Sequence, residues 1–369
     1  MEIVRLGPGF AAELRGATIH DVAASEAAYA AVRAAFEEHS VLVLRDQDVT
    51  DEAQLAFSRR FGPLEVTKVG SEGSGTNLVI LKTLDEKGNV VLEDHRLALE
   101  NKANQLWHTD SSFKRVPALA SVLSSRIIPG RGAETEYVST RLAFERLDPA
   151  LQRRLENSFA WHEYAYSRGK IAPDLVGPAE RAALPPQCWR LVWKNPVNDR
   201  KALYMASHTY AIEGMERKAA RELLAELIEA ATAAGESYLH SWRQGDVVMW
   251  DNRATMHRGR PWPAWEPRYM VRTTISATAV DGLEAMRAPP RQAAECRRAV
   301  TKAVAGQDLW LTAESRPSGS RSSRTSGRRG TSSTATPVSA QVKAEKAGSS
   351  KLTFLVLKYR VKGAGLPTV

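Results

Sequence analysis

Apolar and polar positions alternate along this chain in two distinct periods. SEAAYAAVRAAFEEHS (25–40) carries apolar residues at helical spacing, with Ala-rich propensity. SVLVLRD (40–46) follows as an unbroken apolar run of the kind found in buried strands. TDEAQLAFSRRFG (50–62) predicts a second helix, with Thr50 as cap, acids in the first turn and Gly62 at its close. Strands are predicted at LVILKT (78–83), ALASVLSSRIIP (118–129), GDVVMWDN (245–252) and YMVRTTISAT (269–278), with LVWKNP and ALYMAS as short strands around a polar NDRK turn. DPALQRRLE (148–156) starts a helix with Asp148 as cap and Pro149 in the first turn. Residues 214–235 form a long amphipathic helix. Two helices and a strand lead, and many short strands follow with one long helix among them. That order predicts a mainly β protein with flanking helices, a sandwich or jelly roll rather than a βαβ array.

The pattern changes near the C-terminus. Residues 291–310 are expected to continue as a C-terminal helical extension. SRPSGSRSSRTSGRRGTSSTATPVSA (315–340) has almost no large apolar side chain, so burial there cannot offset ordering entropy and a stable fold is not expected. KLTFLVLKYRVK (351–362) has strand character without an evident partner. Charge follows the same division. The chain of 369 residues has a formal net charge of +9, yet residues 311–369 hold eleven Lys/Arg against two Asp/Glu, and the remainder balances. All nine tryptophans lie before residue 311. The basic character therefore belongs to an appendage. Nucleic acid is not an expected partner of the body, and a binding protein with a nucleic-acid-binding basic tail is the remote alternative. Cys188 and Cys296 form no Cys-x-x-Cys pair, no secretory signal opens the chain, and no apolar run spans a bilayer. The expectation is a cytoplasmic protein with no membrane partner; self-association into a homo-oligomer is left open.

NQLWHTDSSF (104–113) carries the first candidate chemistry. On a strand, His108 and Asp110 would project to one face, with Thr109 turned away as a spacer. Imidazole and carboxylate suit Fe(II), Mn(II) or Zn(II), but the pair alone is equally a hydrogen-bonded pair on a solvated strand. In GDVVMWDNRATMHRGRPW an apolar strand and a short loop precede His257, a third ligand candidate. Two His and one carboxylate on one face of an octahedron leave three positions open, as in non-haem Fe(II) oxygenases. Arg268 lies eleven residues beyond His257 and Arg272 four further, sharing a strand face; such guanidinium groups suit the carboxylates of a 2-oxo acid and of an acidic substrate. A Zn hydrolase would not need this arginine pair.

With these stretches in order, together with EHSVLVLRDQDVTDEAQLAFSRRFGPLEV and GRGAETEYVSTRLAFERL, residues 1–285 resemble the Fe(II)/2-oxoglutarate-dependent dioxygenases of the TauD/TfdA family. ANQLWHTDSSF, LPPQCWRLVWKNP and MWDNRATMHRGRP resemble its 2,4-dichlorophenoxyacetate dioxygenase branch in particular. The resemblance implies a double-stranded β-helix (jelly roll, cupin-like) catalytic domain over residues 1–290. It implies His108, Asp110 and His257 as iron ligands, and Thr135 and Arg268 on 2-oxoglutarate. Arg272 would hold the acid group of a small anionic substrate, with Lys68, Asn104 and His208 as further pocket residues. Trp107 and Phe113 are expected in the core. The implied reaction uses O2 to hydroxylate a phenoxyalkanoate beside its ether oxygen, giving a phenol, a 2-oxo acid, succinate and CO2. A sulfonate such as taurine or an alkyl sulfate is the alternative substrate. The family pattern has no counterpart for the residues from about 290 onward.

Overall fold

The computed structural model describes residues 1–67, 73–91 and 95–288. In chain order, β1 (Glu2–Leu6) and β2 (Ala11–Arg15) form a hairpin, followed by α1 (Ile19–Ala24), α2 (Glu26–His39), β3 (Val41–Leu44), α3 (Asp51–Arg59), β4 (Val79–Lys82) and α4 (Arg96–Ala103). Then come β5 (Ala118–Ile127), β6 (Thr135–Ser139), α5 (Thr140–Glu145), α6 (Pro149–Glu156), β7 (Phe159–His162), α7 (Tyr164–Gly169), α8 (Pro178–Ala183), β8 (Gln187–Arg190), β9 (Val192–Lys194), β10 (Lys201–Leu203) and β11 (Thr209–Ile212). The chain continues through α9 (Arg217–Ala231), β12 (Ser237–His240), β13 (Val247–Asp251), β14 (Thr255–Gly259), β15 (Tyr269–Ser276) and the short α10 (Leu283–Met286).

Seven strands form one sheet in the order β1-β2-β3-β13-β5-β15-β4. Its central strands are apolar without alternation because both faces are covered. Leu42, Leu44, Val247 and Met249 face one way, onto Ile19, Val22, Phe36 and Phe57 of α1, α2 and α3. Val41, Val43, Val248 and Trp250 face the other way, onto Tyr137 and Tyr238 of a second, three-stranded sheet ordered β12-β6-β14. The register pairs Val247 with Leu44 and Trp250 with Val41, so a slip of one residue would exchange the two faces. The outer side of the small sheet, Val138 and Met256, is closed by Leu224 and Leu227 of α9 together with Leu191, Val192 and Leu203.

The mainly β expectation holds, with helices on the flanks. Most elements predicted from periodicity are present, and Thr50 and Asp148 cap α3 and α6 through their side chains. Four details differ. α3 ends at Arg59, and Gly62 lies beyond it at φ 150°. α9 begins at Arg217 because Gly214 turns at φ 73° and the Glu216 carboxylate caps the first turn by accepting from the Ala219 N–H. β2 and β3 pair in parallel, with α1 and α2 forming the crossover, so one βαβ unit sits at the edge of an otherwise antiparallel sheet. The His108–Asp110 stretch is not a strand: His108 makes an isolated bridge, and Asp110 sits in a turn. The predicted extension at 291–310, the 311–369 tail and the strand at 351–362 lie outside the described residues. Among the described residues no helix is long and apolar enough to cross a membrane.

Candidate active site

The site is assembled on the turn between β13 and β14. The buried Asp251 carboxylate accepts from the Arg253 backbone N–H at 2.8 Å and from its Nε and Nη2 at 2.9 Å. Arg253 Nη2 also reaches the buried Glu37 at 2.8 Å. Thr255 Oγ1 donates to the Asp251 carbonyl at 2.7 Å. This locked turn fixes where β14 starts, and β14 carries His257. Two reciprocal backbone bonds then staple His108 to His257, at 2.9 Å and 2.8 Å.

Asn252, the middle residue of that turn, organises the Asp110 loop. Its Oδ1 accepts from the Asp110 N–H at 3.0 Å and from Trp250 Nε1 at 3.1 Å. Its Nδ2 donates to Ser121 Oγ at 3.0 Å, and Ser121 Oγ donates in turn to Asp110 Oδ2 at 2.7 Å. Thr109, expected as a spacer, is instead a buried tether whose hydroxyl donates to the Asn252 carbonyl at 2.8 Å. Ser111 takes φ 54°, which turns the chain away after the carboxylate.

His108, Asp110 and His257 are all buried, and one ligand atom from each lies within 4.8 Å of the others. The His108 and His257 rings stand 4.1 Å apart, and His257 Nε2 lies 3.7 Å from Asp110 Oδ2. His108 Nδ1 is 2.8 Å from the Leu106 carbonyl, which assigns the proton to Nδ1 and leaves Nε2 as a lone-pair donor. Burial pushes His108 down to about 4 and His257 well below the ordinary histidine value, so both are neutral. Burial opposes ionisation of Asp110, but the Arg272 guanidinium above all, with the hydrogen bond from Ser121, outweighs it and holds the carboxyl well below the usual range. Two neutral imidazoles and one ionised carboxylate converging in a buried cluster fit a divalent first-row metal.

Two cavities open on this cluster. The first is lined by His108, Asp110, Val79, Leu97, Phe113, Arg168, His208 and Arg272. The second runs along His257 past Thr135, Trp250 and Trp262 to Arg268, with Arg272 and Asn104 shared between them. Arg268 is buried, with its guanidinium over the Trp262 ring at 5.0 Å, and burial pulls it down to about 10. Among the described residues it has no carboxylate partner. Thr135 Oγ1 accepts from Trp242 Nε1 at 3.0 Å, which leaves its O–H as a donor.

The structure brings together every predicted site residue that it describes; Lys68 lies outside the described residues. Arg272 Nη1 contacts Asp110 Oδ1 at 2.5 Å, so it also serves a proposed metal ligand. Asn104 accepts from Arg168 through Oδ1 at 3.3 Å and holds the Gly259 N–H with its carbonyl at 3.0 Å. His208 is buried, with Nδ1 2.7 Å from Ser167 Oγ and its ring edge-on to Phe113. Trp107 packs on the cluster beneath α9, as expected of a core residue, whereas Phe113 both packs against Tyr164 and lines the first cavity. Sequence reasoning missed Asn252, Ser121 and Arg168. Asn252 stood in the MWDN stretch, where an amide ending an apolar strand was the available signal; Ser121 and Arg168 carried none.

Residues 2–274 match the family described as "Taurine catabolism dioxygenase TauD, TfdA family", and the chain belongs to that family. It is 39% identical over 249 residues to the alpha-ketoglutarate-dependent 2,4-dichlorophenoxyacetate dioxygenase of Cupriavidus pinatubonensis, covering 66% of this chain and 87% of that protein. It is 32% identical over 286 residues to the (S)-phenoxypropionate/alpha-ketoglutarate-dioxygenase of Sphingobium herbicidovorans, covering 74% and 94%. Among solved structures, AAD-2 in complex with Mn(II) and N-oxalylglycine superposes with a TM-score of 0.70 at 36% identity, over 75% of this chain and 98% of that one.

Proposed function

We propose that this protein is an Fe(II)- and 2-oxoglutarate-dependent dioxygenase that hydroxylates a phenoxyalkanoate such as 2,4-dichlorophenoxyacetate. The observation that carries this is the buried His108–Asp110–His257 cluster with Arg268, which has no carboxylate partner among the described residues, in the adjoining cavity. His108 Nε2, an Asp110 oxygen and His257 Nε2 would hold the metal. Bound iron with 2-oxoglutarate supplies oxygen activation, with 2-oxoglutarate leaving as succinate and CO2. Arg268 pairs with the distal carboxylate of 2-oxoglutarate, and Thr135 donates its hydroxyl to it. Arg272 holds the substrate acid group, while Asn104 and His208 shape the wall beside it; on the resemblance, Lys68 is assigned as a further basic residue near the substrate.

Val79, Leu97 and Phe113 form an apolar wall suited to an aromatic ring, next to guanidinium groups suited to a carboxylate. Fixing both ends places the carbon beside the ether oxygen at the metal, which is catalysis by positioning. Hydroxylation at that carbon yields a hemiacetal, which collapses to a phenol and a 2-oxo acid. The two packed sheets are assigned to a double-stranded β-helix, with residues 1–290 as the catalytic domain in a cytoplasmic protein. Deleting 311–369 is expected to leave turnover intact.

The test incubates anaerobically Fe(II)-loaded protein with 2-oxoglutarate and a panel of phenoxyacetates, phenoxypropionates, taurine and alkyl sulfates, then admits air. Succinate and phenol in equal amounts with a phenoxyalkanoate support the assignment. Succinate stimulated by taurine or an alkyl sulfate alone moves it to the sulfur anions, and no stimulated succinate at all refutes it.

A further inference from the structure

Three guanidinium groups line the two cavities, and their counter-ions differ. Arg272 is paired with Asp110 at 2.5 Å. Arg268 has no carboxylate partner among the described residues and is assigned above to 2-oxoglutarate. Arg168, on α7, is the third. It is 8% exposed and lines the first cavity with His108, His208 and Arg272. Its hydrogen bonds are few and long: Nη2 to Asn104 Oδ1 at 3.3 Å and Nη1 to Ser167 Oγ at 3.5 Å, while its buried Nε has no partner. Its guanidinium lies over the Tyr164 ring at 4.7 Å, and no acidic side chain among the described residues pairs with it. Its field reaches His208 and His108, where it disfavours protonation.

A buried cation without a counter-ion is costly unless something anionic completes it. Lys114, another cation at this cavity, is already paired with Glu65 at 2.5 Å. Among the described residues two buried guanidinium groups thus have no carboxylate partner, Arg168 in the first cavity and Arg268 in the second. We propose that Arg168 is a specificity-determining anchor for the acid group of the substrate, acting with the remaining N–H groups of Arg272. The Asn104 amide and the Tyr164 ring hold its side chain against the cavity wall. A substrate bound there replaces two long hydrogen bonds with charge-assisted ones. Rigid placement of the acid group against α7 sets how far the rest of the molecule reaches toward Asp110. This inference rests on the anionic-substrate assignment made above, but not on which anion is used.

The test is calorimetric binding to the full chain, loaded anaerobically with Fe(II) and 2-oxoglutarate, for wild type, R168Q and R168K. The probes are phenoxyacetate, hexyl sulfate, taurine and the neutral phenoxyacetamide. Whichever anion binds best is expected to lose about 10- to 100-fold in affinity in R168Q, the range of a charge-assisted hydrogen bond. R168K is expected to retain part of it, because the charge remains and the fork is lost. Binding of phenoxyacetamide and of 2-oxoglutarate should change by less than about threefold in both variants. Ligand-free R168Q should melt at or above the wild-type temperature, since a lone buried charge has been removed; a merely structural role would lower it. Wild type that binds hexyl sulfate or taurine but not phenoxyacetate, with R168Q losing that anion, supports Arg168 and overturns the phenoxyalkanoate assignment. Unchanged anion affinity in R168Q, an equal loss of 2-oxoglutarate, or no anion bound by wild type overturns the inference. If R168Q does not fold, R168K decides: several-fold weaker anion binding with unchanged 2-oxoglutarate supports it, and unchanged anion binding refutes it.

Discussion

Replacing Asn252 by Ala tests how this site is held. The side chain meets four buried partners: the Asp110 N–H at 3.0 Å, Trp250 Nε1 at 3.1 Å, Ser121 Oγ at 3.0 Å and Thr109 Oγ1 at 3.2 Å. Each buried group left without a partner costs about 1–3 kcal/mol; the Asp110 N–H and Trp250 Nε1 lose their sole partner, while Ser121 and Thr109 each keep a second one, so the sum is about 2–6 kcal/mol. That is a large share of the ~5–15 kcal/mol typical of a folded domain. The Asp110 loop would also lose its anchor, since both the main-chain bond and the route through Ser121 start from this amide. Metal affinity should therefore fall by about 10- to 100-fold, as when the groups that orient metal ligands are removed. Thr109→Val serves as a graded control. It removes the hydroxyl that reaches the Asn252 carbonyl at 2.8 Å and its Oδ1 at 3.2 Å but leaves the Asn252 amide in place, so about 1–2 kcal/mol is expected, with a smaller effect on metal. Urea unfolding of metal-free protein and anaerobic Fe(II) titration read both quantities. An Asn252→Ala protein within about 1 kcal/mol of wild type, with metal affinity changed less than threefold, would refute this account of the loop.

Two further outcomes are expected. Arg268→Met removes the cation at the end of the second cavity and should weaken 2-oxoglutarate by about 10- to 100-fold by calorimetry; Arg268→Lys should be intermediate, and equal binding in all three would contradict the assignment. Acid stability should carry a signature of His162, which is fully buried, lies 3.0 Å from Ser112 Oγ and is pushed down to about 3 by burial. It is neutral in both states above its unfolded value near 6.5, and on acidification the unfolded chain takes up the proton first. Stability is therefore present above pH ~6.5 and lost toward pH 3, at up to about 1.4 kcal/mol per pH unit. His162→Gln should flatten the pH dependence of urea unfolding in metal-free protein, and an unchanged slope would show that His162 does not titrate on unfolding.

Much of this architecture was legible because the central strands are apolar on both faces and the main helices carry clear caps. β3 and β13 announced themselves as short uninterrupted apolar runs, and α9 through Ala220, Leu224, Leu227 and Ala231. β6, β12 and β14 were not legible. Tyr137, Val138, His257 and Met256 mix apolar and functional side chains within strands of four or five residues, too short for periodicity to register. The metal ligands were recognisable from residue type and order, although the geometry assumed for them was wrong. His108 and Asp110 converge because a tethered turn brings them round, not because a strand alternates. That tether depends on Asn252, more than 140 positions away, and nothing local to His108 encodes it. Arg168 was illegible for the same reason: on α7 it resembles a surface arginine, and only tertiary burial beside His208 makes it a cavity residue.

Fe(II) binding measured by anaerobic equilibrium dialysis tests the central claim most directly. One ion per chain is expected for wild type in the presence of 2-oxoglutarate. Binding should be lost in His257→Ala and Asp110→Ala proteins whose circular dichroism shows that they remain folded. Wild type that binds no Fe(II), or folded His257→Ala and Asp110→Ala proteins that still bind one ion with wild-type affinity, would contradict the assignment of His108, Asp110 and His257 as the metal centre.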